Sequence, residues 1–378
     1  MEWKENPFVI KGYRSKKLFC NRDAELSDLL QNMINGSDTT LISPRRMGKT
    51  GLIFRFFDEL KRKKDVETLY LDIYSSRNLE DFLKLFAEAI LVKFPEKTTM
   101  GKKFLDFLKG LRPTISFDSL SGEPQVSILY QSAQQKEYTL RSLLEFLDAQ
   151  KKTIIFAIDE FQQINEYPEK NMEALLRTYI QNLKNIHFIF CGSKKSMMID
   201  MFSNAKRPFY ASTRFLSLDA LDKDVYAKFI KKTFHSHGMR ITDDALNLIL
   251  DWSKLHTFYT QSLCNMIFSF KKAEIDIHLV KETCISLLKS NEPVFYQYRQ
   301  LLTTAQWNYL IAVAKEDKVS QLTAQNFLLK YNIGTPANSK RISESLLEKE
   351  LLLKISDREK STYRIYDVFF SRWLEMEY

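Results

Sequence analysis

The nine residues from Ser43 to Gly51, Ser-Pro-Arg-Arg-Met-Gly-Lys-Thr-Gly, set a glycine, a cation and a hydroxyl side by side at Gly48, Lys49 and Thr50. That grouping suits a phosphate. Free backbone N–H groups at a helix start attract anions, and glycine lets the backbone approach closely. A lysine can reach the outer phosphate oxygens while a hydroxyl takes a divalent cation. The phosphate-loop pattern is GxxxxGK followed by Ser or Thr. Gly48, Lys49 and Thr50 meet its end, and Ser43 stands where its first glycine is usual. A serine there is either small enough to be tolerated or, by restricting positive φ, distorts the start of the loop. The expected cradle is Pro44, Arg45, Arg46, Met47, Gly48, Lys49, Thr50 and Gly51.

A second constellation lies roughly 110 residues downstream, where the apolar run Thr153–Ile158 ends in Asp159-Glu160-Phe161-Gln162. An aspartate there can hold Mg²⁺ with Thr50, and Glu160 can orient and activate an attacking water. Taken alone, Gly-Lys-Thr could be a chance helix start and an acidic strand end is common. Their joint occurrence points to a bound nucleotide with Mg²⁺. Hydrolysis asks more, since it needs the geometry of Glu160 and an arginine.

Both constellations must sit at the ends of strands. Four runs read as strands of a parallel sheet covered on both faces: Thr39–Ser43, Glu67–Ile73, Thr153–Ile158 and Ile186–Cys191, with Arg214–Leu218 as a last strand. Ligands of such sheets bind at the carboxyl ends of the strands. Between them, helical spacing marks a helix capped by Asn21 or Asp23 and carrying Glu25, Leu26, Leu29, Leu30 and Met33. Further helices are expected at Gly51–Lys64, Leu79–Phe94, Leu140–Gln150 and Met172–Leu183. Residues 95–137 interrupt the alternation with an inserted hairpin, Pro113–Phe117 and Gln125–Leu129. Lys102, Lys103, Lys109 and Arg112 cluster beside it.

From Asp222 onward the pattern is helical, at 222–237, 242–255, 257–272 and 277–290. Helices at Thr304–Lys315, at Thr323–Tyr331 and from Pro336 to about Lys349 follow, the last capped by Thr335. A hairpin of Leu351–Ile355 and Thr362–Tyr366 closes the order of a winged helix. The expected domains are an α/β core over 1–220, a helical lid over 221–298 and a winged helix over 299–378.

With these motifs in place, the sequence resembles the archaeal-type ATPase family of the AAA+/STAND group of P-loop ATPases. The resemblance rests on Phe19–Leu26, similar to the lead-in F-x-x-R-x-x-E-L, on Pro44–Thr50, similar to PRRxGKT, and on Asp159–Gln162, the DEFQ segment. Phe190-Cys191-Gly192-Ser193 and the tail Tyr363–Trp373 look like further family segments. The family implies ATP and Mg²⁺ as cofactors, with ATP between core and lid, Thr50 and Asp159 at the metal and Lys49 and Glu160 in catalysis. It makes Ser193 a sensor of the γ-phosphate, and Arg207 or Arg214 an arginine finger that in trans needs a homo-oligomer. Lys254–Tyr259 departs from it, standing where the family tends to have a Gly-x-Pro-like turn.

Net charge is +9, which permits an acidic partner. Residues 303–378 carry eleven basic and ten acidic side chains, however, so the winged helix lacks a strong basic excess. Its Lys340 and Arg341 could touch duplex DNA, whereas Glu344, Glu348 and Glu350 would repel it; a protein partner is the alternative. Four scattered cysteines, no apolar leader and no run of about 20 apolar residues lead us to expect a cytoplasmic protein without a membrane partner. His235-x-His237 is too small a set to expect a metal site.

Overall fold

A computed structural model describes residues 5–111, 114–356 and 361–378 and divides the chain into two compact units. Lys11–Ala220 form one; Leu221–Tyr378, with residues 5–10, form the other.

The first unit runs α1 (Asp23–Ile34), β1 (Asp38–Ile42), α2 (Lys49–Leu60), β2 (Val66–Asp72), α3 (Leu79–Lys93), α4 (Thr99–Lys109), β3 (Thr114–Phe117) and β4 (Pro124–Ser127). It continues with α5 (Ala133–Asp148), β5 (Thr153–Asp159), α6 (Met172–Ile180), β6 (Ile186–Gly192), α7 (Lys195–Ser203) and β7 (Thr213–Ser217). Five strands form one sheet in the order β2-β5-β6-β1-β7, and every pairing in it is parallel. The continuous apolar runs have a simple cause. Successive side chains of a strand point to opposite faces, and here both faces are covered. In β5, Ile154, Phe156 and Ile158 enter one core with Phe82, Phe86, Leu143 and Phe188. Ile155 and Ala157 enter the other, with Leu52, Ile53 and Phe56 of α2.

The inserted hairpin is present as antiparallel β3 and β4, while the expected positions Arg112 and Pro113 lie outside the described residues. Two helices are present that the sequence pattern concealed. In α4 a glycine and three lysines mask the stripe of Phe104 and Leu108, both fully buried. Gly101 is required there, because an added Cβ would collide with the carbonyls of Phe94 and Pro95. The other is α7, which buries Met198, Met201 and Phe202. The cap of α1 is neither Asn21 nor Asp23 but Arg22, in the left-handed region at φ 74°.

The second unit begins with α8 (Lys223–His235), β8 (Arg240–Ile241), α9 (Asp243–Trp252), α10 (Thr257–Ser269), β9 (Glu274–Ile275) and α11 (Ile277–Leu301). The helix expected at 277–290 is longer than that, running through Pro293 and past residue 298. Then come α12 (Thr304–Glu316), α13 (Gln325–Lys330), α14 (Pro336–Glu348), the hairpin β10 (Leu352–Ser356) and β11 (Ser361–Ile365), and α15 (Val368–Glu377). Residues 357–360, in the expected turn, lie outside the described residues. Thr335 caps α14 as expected, its hydroxyl accepting the Asn338 N–H at 3.3 Å. Trp307, Leu310, Leu346, Phe370 and Trp373 form the core of this winged helix. Among the described residues no helix is long and apolar enough to cross a membrane.

Candidate functional site

The parallel sheet brings four strand ends together. Ile42, the last residue of β1, lies opposite Gly192 of β6, and Asp159 of β5 lies opposite Asp72 of β2. The chain leaves β1 through Ser43 and re-enters helix at Lys49.

Within that loop the left-handed positions are Arg46 at φ 62° and Gly48 at φ 98°. Ser43 is not among them, so the distortion expected from its side chain does not arise. It is fully buried, and its hydroxyl donates to the Pro44 carbonyl at 2.9 Å. The strain falls on Arg46 instead, at a cost of about 1–2 kcal/mol for a side-chain-bearing residue. Gly48 offers α2 no side-chain cap, which leaves first-turn N–H groups for a ligand. Lys49 is only 6% exposed, with its ammonium donating to the Ser43 carbonyl at 3.4 Å. Met47 is buried beneath the loop, Pro44 is half-buried, and Arg45 and Arg46 are exposed at its rim. Phe19 packs on Gly51, where a Cβ would meet its ring at 3.3 Å.

The acidic pair is held on every side. Asp159 Oδ2 accepts the Thr50 hydroxyl at 2.9 Å and the Tyr70 hydroxyl at 2.8 Å, while Oδ1 accepts the Glu160 N–H at 3.0 Å. Burial first, and the charge of Asp159 next, push the Tyr70 phenol well up, so it stays a proton donor. Glu160 sits at φ 55°, and its Oε2 accepts Ser193 Oγ at 2.7 Å and Gln162 Nε2 at 2.5 Å. Gln162 is 4% exposed, and a side chain at Gly192 would strike it and Met198. Burial raises the Asp72 carboxyl above its usual range, with the charges of Asp159 and Glu160 adding to it against the Tyr74 N–H.

Thr50 and Asp159 present hard oxygens in mutual contact, which suits Mg²⁺. Among the described residues no group of three or more His, Cys, Asp or Glu could hold a metal. A cation at Thr50 would therefore need further oxygens, such as phosphates, to fill its shell.

The structure thus gathers Lys49, Thr50, Asp159, Glu160 and Ser193 at one edge of the sheet. The two arginines are not gathered there. Arg207 spends its guanidinium on Glu173 at 2.7 Å, Asn165 at 3.0 Å and Asp200 at 3.2 Å. Arg214 is exposed on the edge strand β7, opposite Thr39 near the start of β1 rather than at its end. Two further residues serve the site, and a third braces the fold beside it, without having been assigned a role from sequence. Tyr70 lies in an ordinary strand run with no motif to mark it. Gln162 belongs to the DEFQ segment, so its position was visible although its contact was not. Arg22, in the F-x-x-R-x-x-E-L lead-in, binds the Asp219 carbonyl at 2.7 Å and ties α1 to the segment after β7.

A parallel sheet that feeds a glycine-lysine-threonine loop from one strand and an acidic pair from another defines the P-loop ATPase fold. Residues 19–252 match the family described as an ATPase domain predominantly from Archaea, and the chain belongs to that family. Residues 293–376 match a second family, described as a "Probable winged helix domain". Among solved structures the chain is similar to the Walker-type ATPase paby2304 of Pyrococcus abyssi, with TM-score 0.66, 17% identity, and 97% of this chain and 99% of that chain covered. It is also similar to the Aeropyrum pernix ORC2 protein in its ADPNP-ADP complexes, with TM-score 0.57, 13% identity, and 99% and 98% covered. The Aeropyrum pernix ORC1 protein in complex with DNA follows at TM-score 0.51, 12% identity, and 95% and 93% covered. At such identities the likeness shows the fold. No curated protein matches the sequence.

Proposed function

We propose that this chain binds ATP with Mg²⁺ at Pro44–Gly51 and hydrolyses it, acting as a nucleotide-driven switch of the AAA+/STAND type. The observation that carries the reading is the 2.9 Å contact between Thr50 and Asp159, which joins the phosphate loop to the acidic strand end. In this reading Lys49 and the first-turn N–H groups of α2 bind and orient the phosphates. Mg²⁺, held by Thr50 and Asp159, supplies charge neutralisation when bound. Glu160 takes up the proton of the attacking water, and Ser193 and Gln162 keep its carboxylate in place. Arg214, exposed on an edge strand, suits a role in trans, which would require a second copy of the chain. ATP dependence fits a cytoplasmic setting, and the lid over 221–298 and winged helix over 299–378 would carry the output.

Single-turnover phosphate release from Mg-ATP tests hydrolysis. Release is expected from the wild type and is expected to fall at least about 100-fold in Glu160→Gln. Equal and negligible release from both, with ATP still bound, would leave a nucleotide-gated interaction module. A DNA-associated role is the second reading, favoured by the exposed Lys340 and Arg341 on α14 and by the similar ORC1 protein in complex with DNA. Glu344, 4.0 Å from Lys340, weighs against it. Salt-sensitive duplex binding, weakened by Lys340→Ala with Arg341→Ala, is its test; no binding at low salt rejects it and favours a protein partner.

A further inference from the structure

We propose that Tyr70 is a positioning residue for Asp159, orienting the carboxylate that with Thr50 takes the divalent cation; this rests on the nucleotide site argued above. A carboxylate offers about four lone-pair positions. Among the described residues three are filled: Thr50 and Tyr70 on Oδ2, and the Glu160 N–H on Oδ1. One position is left, on Oδ1. The carboxylate therefore has a single orientation and a single acceptor site to offer.

The phenol can do this because its ring is seated. Tyr70 lies on β2, opposite Ala157 of β5, and its ring packs against Phe54 of α2 at 4.9 Å between centroids. The helix that carries Lys49 and Thr50 therefore also fixes the ring whose oxygen reaches Asp159. Without the phenol one donor would remain on each oxygen, Thr50 on Oδ2 and the Glu160 N–H on Oδ1, and Oδ2 would lose the second donor that fixes its lone pairs. Asp72 lies near enough to Asp159 for their charges to act on one another, a repulsion that a hydroxyl donor to Asp159 offsets. A tyrosine that merely satisfied its own hydroxyl would contribute to folding and leave cation affinity alone. A donor that orients a metal-binding carboxylate would not, since losing such a partner commonly lowers metal affinity about 10-fold or more.

The test uses the full chain and a fluorescent ATP analogue, titrated first in EDTA and then against MgCl₂. Tyr70→Phe keeps the ring on Phe54 and removes only the oxygen. Its analogue affinity in EDTA is expected within about twofold of wild type, and its half-saturating Mg²⁺ concentration about tenfold higher. An unchanged Mg²⁺ curve, or an equal loss of affinity with and without Mg²⁺, overturns the assignment. If Tyr70→Phe fails to fold, Phe54→Leu loosens the ring's seat with the phenol retained. A raised Mg²⁺ requirement there supports the role, and an unchanged one overturns it. A wild-type chain that does not bind the analogue would reject the nucleotide site itself, and one that binds it equally with and without Mg²⁺ would reject the cation at Thr50 and Asp159; both differ from a Mg²⁺-sensitive wild type matched by Tyr70→Phe.

Discussion

Each compact unit buries a lysine, and the two lysines meet different fates. Lys254 is 7% exposed in side chain and forms an ion pair with Asp317. Lys49 is 6% exposed, and its ammonium meets a neutral carbonyl at 3.4 Å. Burial pulls Lys254 below the usual ammonium range, against the opposing pull of Asp317. One buried charge is thus compensated by a carboxylate and braces the fold. The other is compensated by a weak dipole in a loop shaped for anions, where a ligand's negative charge would complete it. Burial alone does not mark a functional cation; the nature of its partner does.

The surroundings of Lys254 extend the contrast. Lys254 and Leu255 occupy the left-handed region at φ 55° and 56°, which explains why a glycine-containing turn would suit this stretch. Asp317, its partner, also has positive φ, at 58°. Arg372 of α15 donates to the carbonyls of Trp252 at 3.1 Å and Asp251 at 3.3 Å, closing the end of α9. The stretch after α9 is therefore held by contacts of α9 with α15 and by the Lys254–Asp317 pair.

The largest expected effect would break the contrast outright. Lys49→Ala should weaken ATP-analogue binding at least about 100-fold, since an oriented charge on phosphate is lost, while the melting temperature stays within about 3 °C. Asp317→Ala should do the reverse. Leaving Lys254 buried and unpaired should cost about 2–3 kcal/mol in urea unfolding, below the value for a fully buried pair because Asp317 is half-exposed. Nucleotide binding should not change. Lys254→Met, which removes the charge and keeps the bulk, should recover most of that loss in the double variant.

A smaller effect sharpens the site's side of the comparison. Gln162→Leu removes one of two donors on Glu160 Oε2 and should lower the single-turnover rate about tenfold, with KM within twofold. The smallest effect concerns a titrating group away from the site. Burial raises the Asp38 carboxyl to about 6, against the opposing effects of the Phe188 N–H and Arg177. The folded state then holds a proton that the unfolded chain releases from about pH 4, so stability falls as pH rises towards 6 and stays lower above it. Asp38→Asn can still accept the Phe188 N–H, which lies 2.8 Å from Oδ1. Its melting temperature should exceed wild type by a few degrees at pH 7 and match it near pH 4.

Much of this was legible from the chain. The loop at Pro44–Gly51, the pair Asp159-Glu160 and the two-faced apolar strands all carry local signatures. A phosphate loop must be contiguous, and a strand buried on both faces must be apolar throughout. The concealed helices show where such signals fail. In α4 the pattern is diluted by lysines, and Gly101 reads as a breaker until the carbonyls of Phe94 and Pro95 are seen beside it. The arginines show the same limit. Nothing in the sequence says that Glu173, Asn165 and Asp200 converge on Arg207.

The sequence by itself determined the residue types for phosphate and cation binding, the α/β class and the order of a winged helix, because these depend on contiguous patterns and on period. Only the tertiary structure decided that Thr50 touches Asp159, that Tyr70 shares the same carboxylate oxygen, and that Ser193 and Gln162 converge on Glu160. The Thr50, Tyr70 and Ser193 contacts join residues that are distant along the chain and meet only through the sheet order β2-β5-β6-β1-β7. Sequence spacing carries no record of that order, because parallel strands pair through backbone hydrogen bonds that any residue but proline can make.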